Sequence, residues 1–476
     1  MQKFVGRRKE IATMHKLLTS EKSEFLVVYG RRRVGKTFLI REAYSQKFTF
    51  QITGLANAKL SQQLINFHVA LQNANPKGEY TPVKNWFSAF QLLISFLEKS
   101  KATKKIVFID ELPWFDTRKS QFIQALEHFW NSWAAARDDI ILVACGSATS
   151  WMINKLINNK GGLHNRVTKK IRLAPFTLNE CESLLKSRKI NLDRYQIIQL
   201  YMSFGGIPFY WDEVESGLSA MQNIENICFN ENGLLQTEFS NLFRSLFNNY
   251  EKHLKIVYAL AKKSKGLTRD EIVTLSGLPN AGSTTRLLVE LEESGFIRKY
   301  VPFGKKQRNS LYQLVDFYTH FYLKFIKGVQ IMNTNNWLNM IDTPAYRAWS
   351  GYAFEQVCLY HLPQIKQALG ISGVLTSVSA WRSKNSIPGA AVDLVIDRRD
   401  QVINLCEMKF SVNPFIVTKK YAGELRNKVG VFKTETKTRK SVFLTLITTF
   451  GIQQNSYFGG LVQNEIKMGE LFFRTK

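Results

Sequence analysis

The sequence predicts an α/β protein with a phosphate-binding loop and nucleotide site in its first third, and three observations carry that expectation. An apolar run at 25–29 leads into Gly30-Arg31-Arg32-Arg33-Val34-Gly35-Lys36-Thr37 and then an apolar helical stretch at 38–43. A second run, 105–109, ends in Asp110-Glu111, and a third, 140–144, leads to Gly146-Ser147.

The first run supplies the motif G-x-x-x-x-G-K-T in the strand, loop and helix setting it requires. Gly30 and Gly35 let the loop turn tightly, so that N–H groups from Gly30 through Thr37, Arg31, Arg32, Arg33 and Val34 included, face phosphate at a helix N-terminus. Lys36 reaches the β- and γ-phosphates of a nucleotide, and Thr37 is a ligand for Mg2+. The second run delivers two adjacent carboxylates at the C-terminal edge of a strand. Asp110 is expected to hold the magnesium shell and Glu111 to polarise the attacking water. These features predict ATP as the bound nucleotide. Ser147 places a polar side chain near the γ-phosphate.

Length and charge bound the rest. A chain of 476 residues exceeds what one core supports, so about two to four domains are expected. The 65 Lys and Arg exceed the 38 Asp and Glu by 27. A surplus of this size favours polyanionic partners, because each phosphate neutralised releases a counterion, and it predicts contact with DNA. No apolar run approaches the roughly 18 residues of a membrane span, and the opening Met1-Gln2-Lys3-Phe4 lacks the apolar stretch of a secretion signal. The expectation is a cytoplasmic protein without a membrane partner. Cys145, Cys181, Cys228, Cys358 and Cys406 are scattered, as reduced packing residues would be.

The opening Phe4-Val5-Gly6-Arg7-Arg8-Lys9-Glu10, the arginine-rich loop, the box Asp110-Glu111-Leu112-Pro113 and the later Gly205-Gly206-Ile207-Pro208 together resemble the archaeal-type ATPases of the AAA-related STAND clade. That resemblance implies a P-loop AAA-type ATPase core at 1–175 and a helical lid at 176–247. It also implies an adenine pocket that includes Phe4, Val5 and Arg7. Arg166, just before an expected strand at 170–173, matches an arginine that senses γ-phosphate, across a subunit boundary if the protein is a homo-oligomer. Ser147 stands where the family often has Asn.

Between the first two motif strands, 60–99 has helical spacing, with Phe87, Phe90, Leu93, Ile94 and Leu97 on one face. Thr177 and Glu180 form a capping-box start for the lid. A helix at 255–263, a second opened by the box Thr268-Arg269-Asp270-Glu271 and a third at 284–294 follow. Two strand-like runs at 296–302 and 310–315 then flank the basic turn Gly304-Lys305-Lys306-Gln307-Arg308. This order is that of a winged helix-turn-helix spanning 248–330, with Arg286 on the recognition helix and the turn as its wing.

After a turn-rich link around 333–343, a helix carrying Glu355 precedes a strand at 391–396 bearing Asp393 and another at 402–410 bearing Glu407 and Lys409. Glu407 and Lys409, two apart, share a strand face. Carboxylates from neighbouring strands can ligate a hard cation, with Glu355 completing the set and Lys409 placed to stabilise phosphorane charge. The pattern resembles the restriction-endonuclease fold, and 331–476 resembles the C-terminal domain that accompanies archaeal-type ATPases. Two outcomes are open at this level: a metal-dependent nuclease site, or carboxylates neutralised by neighbours such as Arg398 and Arg399. The function expected is an ATP-hydrolysing, DNA-associated switch coupled to that nuclease-like domain. The alternatives are a non-catalytic, nucleotide-gated interaction switch and a transposon-like or toxin-like nuclease system.

Overall fold

A computed structural model describes residues 4–158, 161–247, 249–328, 337–384 and 386–474. The chain divides into two compact units, Met1–Pro175 and Phe176–Lys476.

The first unit runs α1 (Arg8–Leu18), β1 (Glu24–Tyr29), α2 (Lys36–Ala43), β2 (Phe50–Thr53), α3 (Leu60–Ala74), α4 (Trp86–Lys99), β3 (Lys105–Asp110), α5 (Phe122–Ser132), β4 (Ile140–Gly146), α6 (Thr149–Met152) and β5 (Lys169–Arg172). Its five strands lie in the order β2-β3-β4-β1-β5, and every neighbouring pair is parallel. Strands β3 and β4 are buried along their whole length, as an all-parallel sheet covered on both faces requires. An aromatic cluster of Phe50, Phe67, Trp86, Phe90, Phe115, Phe122 and Phe129 packs α3, α4 and α5 against the sheet. Burying each such ring stabilises by about 2 kcal/mol. Phe87, expected on that face, is 42% exposed. Edge strand β2 has no counterpart in the sequence reading, because four residues of alternating burial give too short a periodic signal.

The second unit opens with helices α7 (Leu178–Ser187), α8 (Arg194–Phe204), α9 (Pro208–Trp211), α10 (Ala220–Cys228) and α11 (Leu234–Leu246). The start of α7 is the expected capping box: Thr177 N–H donates to Glu180 Oε2 at 2.9 Å. Then come α12 (Tyr250–Ala261), α13 (Arg269–Ser276), α14 (Gly282–Glu293) and an antiparallel hairpin of β6 (Ile297–Tyr300) and β7 (Leu311–Leu314). Thr268 and Glu271 cap α13 reciprocally, at 2.7 and 3.2 Å.

After α15 (Phe317–Phe321) the described residues run to 328 and resume at Trp337, so the link expected around 333–343 lies partly outside them. The unit closes with α16 (Pro344–Tyr360), α17 (Leu362–Ala368), β8 (Thr376–Arg382), β9 (Ala391–Arg398), β10 (Val402–Lys409), β11 (Phe415–Ile416), α18 (Lys419–Thr436), β12 (Ser441–Thr448), β13 (Ile452–Gln453) and β14 (Asn464–Lys467). Five of these strands form a mixed sheet, β14-β12-β10-β9-β8. In it β10, β12 and β14 are parallel, whereas β9 runs antiparallel to both β10 and β8. Leu425 and Phe432 of α18 pack with Val395 and Leu405 on one face. Helix α16 contacts β10, with Phe354 against the Phe410 ring at 5.6 Å.

Helix α18 carries Gly423 and Gly430 in its interior, both exposed and with nothing within 4 Å of where a Cβ would stand. Each costs about 1 kcal/mol relative to Ala in a helix, and no packing constraint requires it. The β6–β7 hairpin is fastened to the sheet at its turn: Phe303 N–H donates to the Ala380 carbonyl at 2.8 Å, and its ring lies 5.2 Å from that of Phe432. All five cysteines are free and buried. Among the described residues no helix is long and apolar enough to cross a membrane.

Candidate nucleotide site and a divided carboxylate set

The phosphate loop joins β1 to α2. Gly30 has φ +147°, and a Cβ there would meet the Leu173 carbonyl oxygen at 2.4 Å, so the loop can leave β1 beside β5 only with glycine. Gly35, at φ +87°, is the N-cap of α2. Buried Lys36 donates to the carbonyls of Gly30 and Arg31 at 3.1 and 3.0 Å, which fixes its ammonium over the loop. Around it, Arg31 is buried and Arg33 adopts a left-handed φ of 69°, while Arg32 and Val34 complete the turn.

Strand β3 is separated from β1 by β4, and that spacing leaves a gap which side chains cross. Thr37 Oγ1–H donates to Asp110 Oδ2 at 2.8 Å, and Asp110 Oδ1 accepts from Glu111 N–H at 3.0 Å. Glu111 has φ 45°, a strained conformation for a non-glycine residue of the kind that collects at functional sites. Its Oε2 accepts two bonds from the end of β4, from Ser147 N–H at 3.1 Å and Ser147 Oγ–H at 2.8 Å. A hydroxyl oxygen and a carboxylate oxygen, Thr37 Oγ1 and Asp110 Oδ2, thus lie at the end of the loop that holds Lys36, and the Glu111 carboxylate stands next to them on a separate tether. That donor set suits a hard divalent cation.

The opening segment belongs to the same end of α2. The Phe4 ring stacks on Phe38 at 5.6 Å, Val5 is half-buried, and buried Arg7 donates to the Ala174 carbonyl at 2.5 Å. Arg166 is exposed in the turn before β5. Its side chain takes no part in the bonds that join Lys36, Thr37, Asp110, Glu111 and Ser147.

The second expected constellation is not brought together. Ser379 of β8 pairs with Val395 of β9, but Trp381 pairs with Val392, so two steps on β8 face three on β9. This bulge sits at Asp393 and Leu394 and re-aims the side chains there. Asp393 ends up beside Glu355 of α16, and the ammonium of Lys265, from the turn after α12, bonds to Asp393 and lies 3.4 Å from Glu355 Oε2. Glu407 instead meets α18, where Lys428 Nζ donates to its Oε1 at 2.7 Å and Tyr421 OH to its Oε2 at 3.4 Å. Lys409 stands over the Tyr421 ring at 4.8 Å. Among the described residues no three His, Cys, Asp or Glu side chains are grouped to hold a metal ion.

Arg398 and Arg399 are not the neutralising groups. Arg398 pairs with Asp400, its Nε donating at 2.9 Å, and Lys440 takes Asp397 at 2.6 Å. Lys265 went unnoticed in the sequence because it lies 90 and 128 residues from its partners in an ordinary lysine-rich turn. Burial, and then the Asp393 carboxylate beside it, push the Glu355 carboxyl up to about 7. Burial works against the Lys265 ammonium, but the two carboxylates outweigh it and hold its pKa above the usual lysine value. Arg298 is half-buried at the same place and donates to Gln313 Oε1 at 2.8 and 2.6 Å, and Tyr300 OH donates to the Lys265 carbonyl at 2.6 Å.

The fold and loop of the first unit define a P-loop ATPase. Residues 4–214 match the family described as an ATPase domain predominantly from Archaea, so this region is a nucleotide-binding and nucleotide-hydrolysing domain of archaeal type. An uncharacterized protein of Methanocaldococcus jannaschii is 22% identical over 418 residues, 86% of this chain and 87% of its own length. An uncharacterized ATP-binding protein of the same organism is 39% identical over 44 residues, 9% of this chain and 75% of its own length. Among solved structures, a Walker-type ATPase of Pyrococcus abyssi has TM-score 0.48 at 16% identity, covering 67% of this chain and 96% of that one. The Aeropyrum pernix ORC2 protein has TM-score 0.40 at 12% identity, covering 75% and 95%. Likenesses at that level carry no functional argument.

Proposed function

We propose that the protein is an ATP-driven, DNA-associated switch, with 1–175 as the hydrolytic core, 176–247 as a lid, 248–330 as a winged helix and 331–476 as a nuclease-like domain that docks DNA without cutting it. The observation that carries the switch is Glu111 tethered to Ser147. A carboxylate must be free to accept a proton from the attacking water, and here both donors on Oε2 come from the end of the neighbouring strand. Movement of β4 against β3 therefore sets whether Glu111 is available. Thr37 and Asp110 would hold Mg2+, which supplies charge neutralisation between the β- and γ-phosphates. Lys36 binds the same phosphates, and Phe4, Val5 and Arg7 flank the base.

The net charge of +27 and the exposed turn with Lys305, Lys306 and Arg308 support DNA as the partner. The pairing of Glu355 and Asp393 with Lys265, and of Glu407 with Lys428, supports docking over cutting. A hard cation would have to displace a tethered ammonium from each half of the set, and the halves face different helices.

ATP turnover measured with and without duplex and single-stranded DNA tests the switch: stimulation by DNA is expected, and equal turnover in all three conditions overturns it. Plasmid nicking in manganese tests the docking claim, which falls if nicks appear and are lost in Lys409→Ala. Arg166, by its place before β5, is proposed to act on γ-phosphate within a homo-oligomer. An arginine in that role is worth about 10³-fold or more in rate, so unchanged turnover in Arg166→Ala removes it.

A further inference from the structure

Helix α18 presents one face that the proposed function leaves unassigned. Lys419, Gly423, Arg426, Gly430 and Lys433 recur at steps of four and three, and Lys437 follows at the C-cap. At about 100° per residue these six positions fall within a narrow stripe along the helix. All are exposed, and none of the four cations is paired with a carboxylate among the described residues. The acids of the helix lie elsewhere on its surface: Glu435 accepts from the 384–386 loop, and Glu424 is turned well away from the stripe by the same helical arithmetic. Leu425 and Phe432, on the far side of the helix, are buried in the core, and Ala422 is buried at the edge of the stripe.

A charged helix face is ordinarily just solvated, but this one is notched. The two glycines sit between the cations, each over open space, where almost any other residue would make a more stable helix. Glycine inside an exposed helix is explained when another backbone must come close. Cations spaced about 10 Å apart along the helix, with bare backbone between them, fit a phosphodiester strand lying along α18. Membrane binding would need exposed apolar side chains flanking the basic ones, whereas the apolar neighbours of this stripe, Ala422 and Val429, are buried and half-buried. The hairpin turn that carries the exposed Lys305, Lys306 and Arg308 is pinned to the C-terminal half of the same helix through Phe303 against Phe432.

We propose that the notched stripe of α18 is the principal phosphate-backbone contact for duplex DNA, with the hairpin turn extending it. The inference rests on the DNA-associated reading above and adds the surface. Its test uses the full chain and a fluorescein-labelled 30-base-pair duplex, with the dissociation constant followed by anisotropy between 50 and 200 mM salt. The triple change Lys419→Ala, Arg426→Ala and Lys433→Ala is expected to weaken binding at least tenfold and to flatten the log–log salt slope by between two and three, about 0.9 per lost phosphate contact. ATP turnover without DNA should stay unchanged, since none of the three touches the nucleotide site.

The pair Gly423→Met and Gly430→Met removes no charge and adds good helix formers. It should fold with an equal or higher Tm and still bind duplex several-fold more weakly, because the notches are filled. Unchanged affinity and slope in both variants, while the parent binds duplex, overturns the α18 surface and leaves the DNA-associated reading standing. A parent that does not bind duplex overturns both. A parent that binds vesicles of phosphatidylcholine with 30% phosphatidylserine through these residues, and not duplex, overturns the choice of partner.

Discussion

The nucleotide site and the carboxylate set of the second unit contain similar ingredients, lysines beside acids at strand ends, and they end in opposite conditions. In the first, Lys36 is held by carbonyls five and six residues back, so its charge remains available to phosphate, and Asp110 is met by a neutral hydroxyl. In the second, each acid is met by a full positive charge from a distant segment: Lys265 for Glu355 and Asp393, and Lys428 for Glu407. A site kept for a ligand leaves its charges to be satisfied by that ligand. One that satisfies them internally has spent its attraction on the fold.

The largest expected effect tests the first half of the contrast. Lys36→Ala should abolish tight ATP binding in a fluorescent-nucleotide titration, whereas Glu111→Gln should keep binding and lose about 10²-fold or more in steady-state hydrolysis. Hydrolysis at the parent rate in Glu111→Gln would mean that the Ser147 tether restrains nothing of consequence.

A smaller effect tests the second half. Removing Lys265 leaves two adjacent carboxylates without a cation. Lys265→Ala should therefore cost about 1 to 2 kcal/mol in chemical denaturation, below the figure for a fully buried pair because its side chain is partly exposed. Adding Asp393→Asn to Lys265→Ala should recover most of that loss. If the double variant is no more stable than the single one, repulsion within the carboxylate pair is not what Lys265 relieves.

The smallest effect is a slope. The folded-state pKa of Glu355 lies above its ordinary value of 4.5, at about 7, so the folded protein holds the proton more tightly than the unfolded chain. That contribution is fully present below about pH 4.5 and is lost as the pH rises through 7, by at most about 3 kcal/mol. Glu355→Gln should flatten the decline in Tm between pH 5 and 8 relative to the parent. An unchanged slope would place the titration elsewhere.

Much of this contrast follows from how far apart in sequence the cooperating residues lie. The loop from Gly30 to Thr37, the Asp110-Glu111 strand end and the capping boxes at Thr177 and Thr268 could be read directly, because each is a local pattern whose geometry follows from backbone periodicity and from glycine. The same local logic found β9 and β10 with Asp393, Glu407 and Lys409 on them, but it assumed an unbroken pleat.

What the sequence alone determined, then, is the phosphate loop with its acidic partner strand and the class of many of the elements up to about residue 410, since strand alternation, helix spacing and tight-turn chemistry are short-range. Only the tertiary structure decided which charges meet. The bulge opposite Ser379 and Trp381 turned Asp393 toward α16, and a lysine 128 residues earlier in the chain came to rest on it. A one-residue slip in strand register changes which face a side chain occupies, and no spacing within either strand records it.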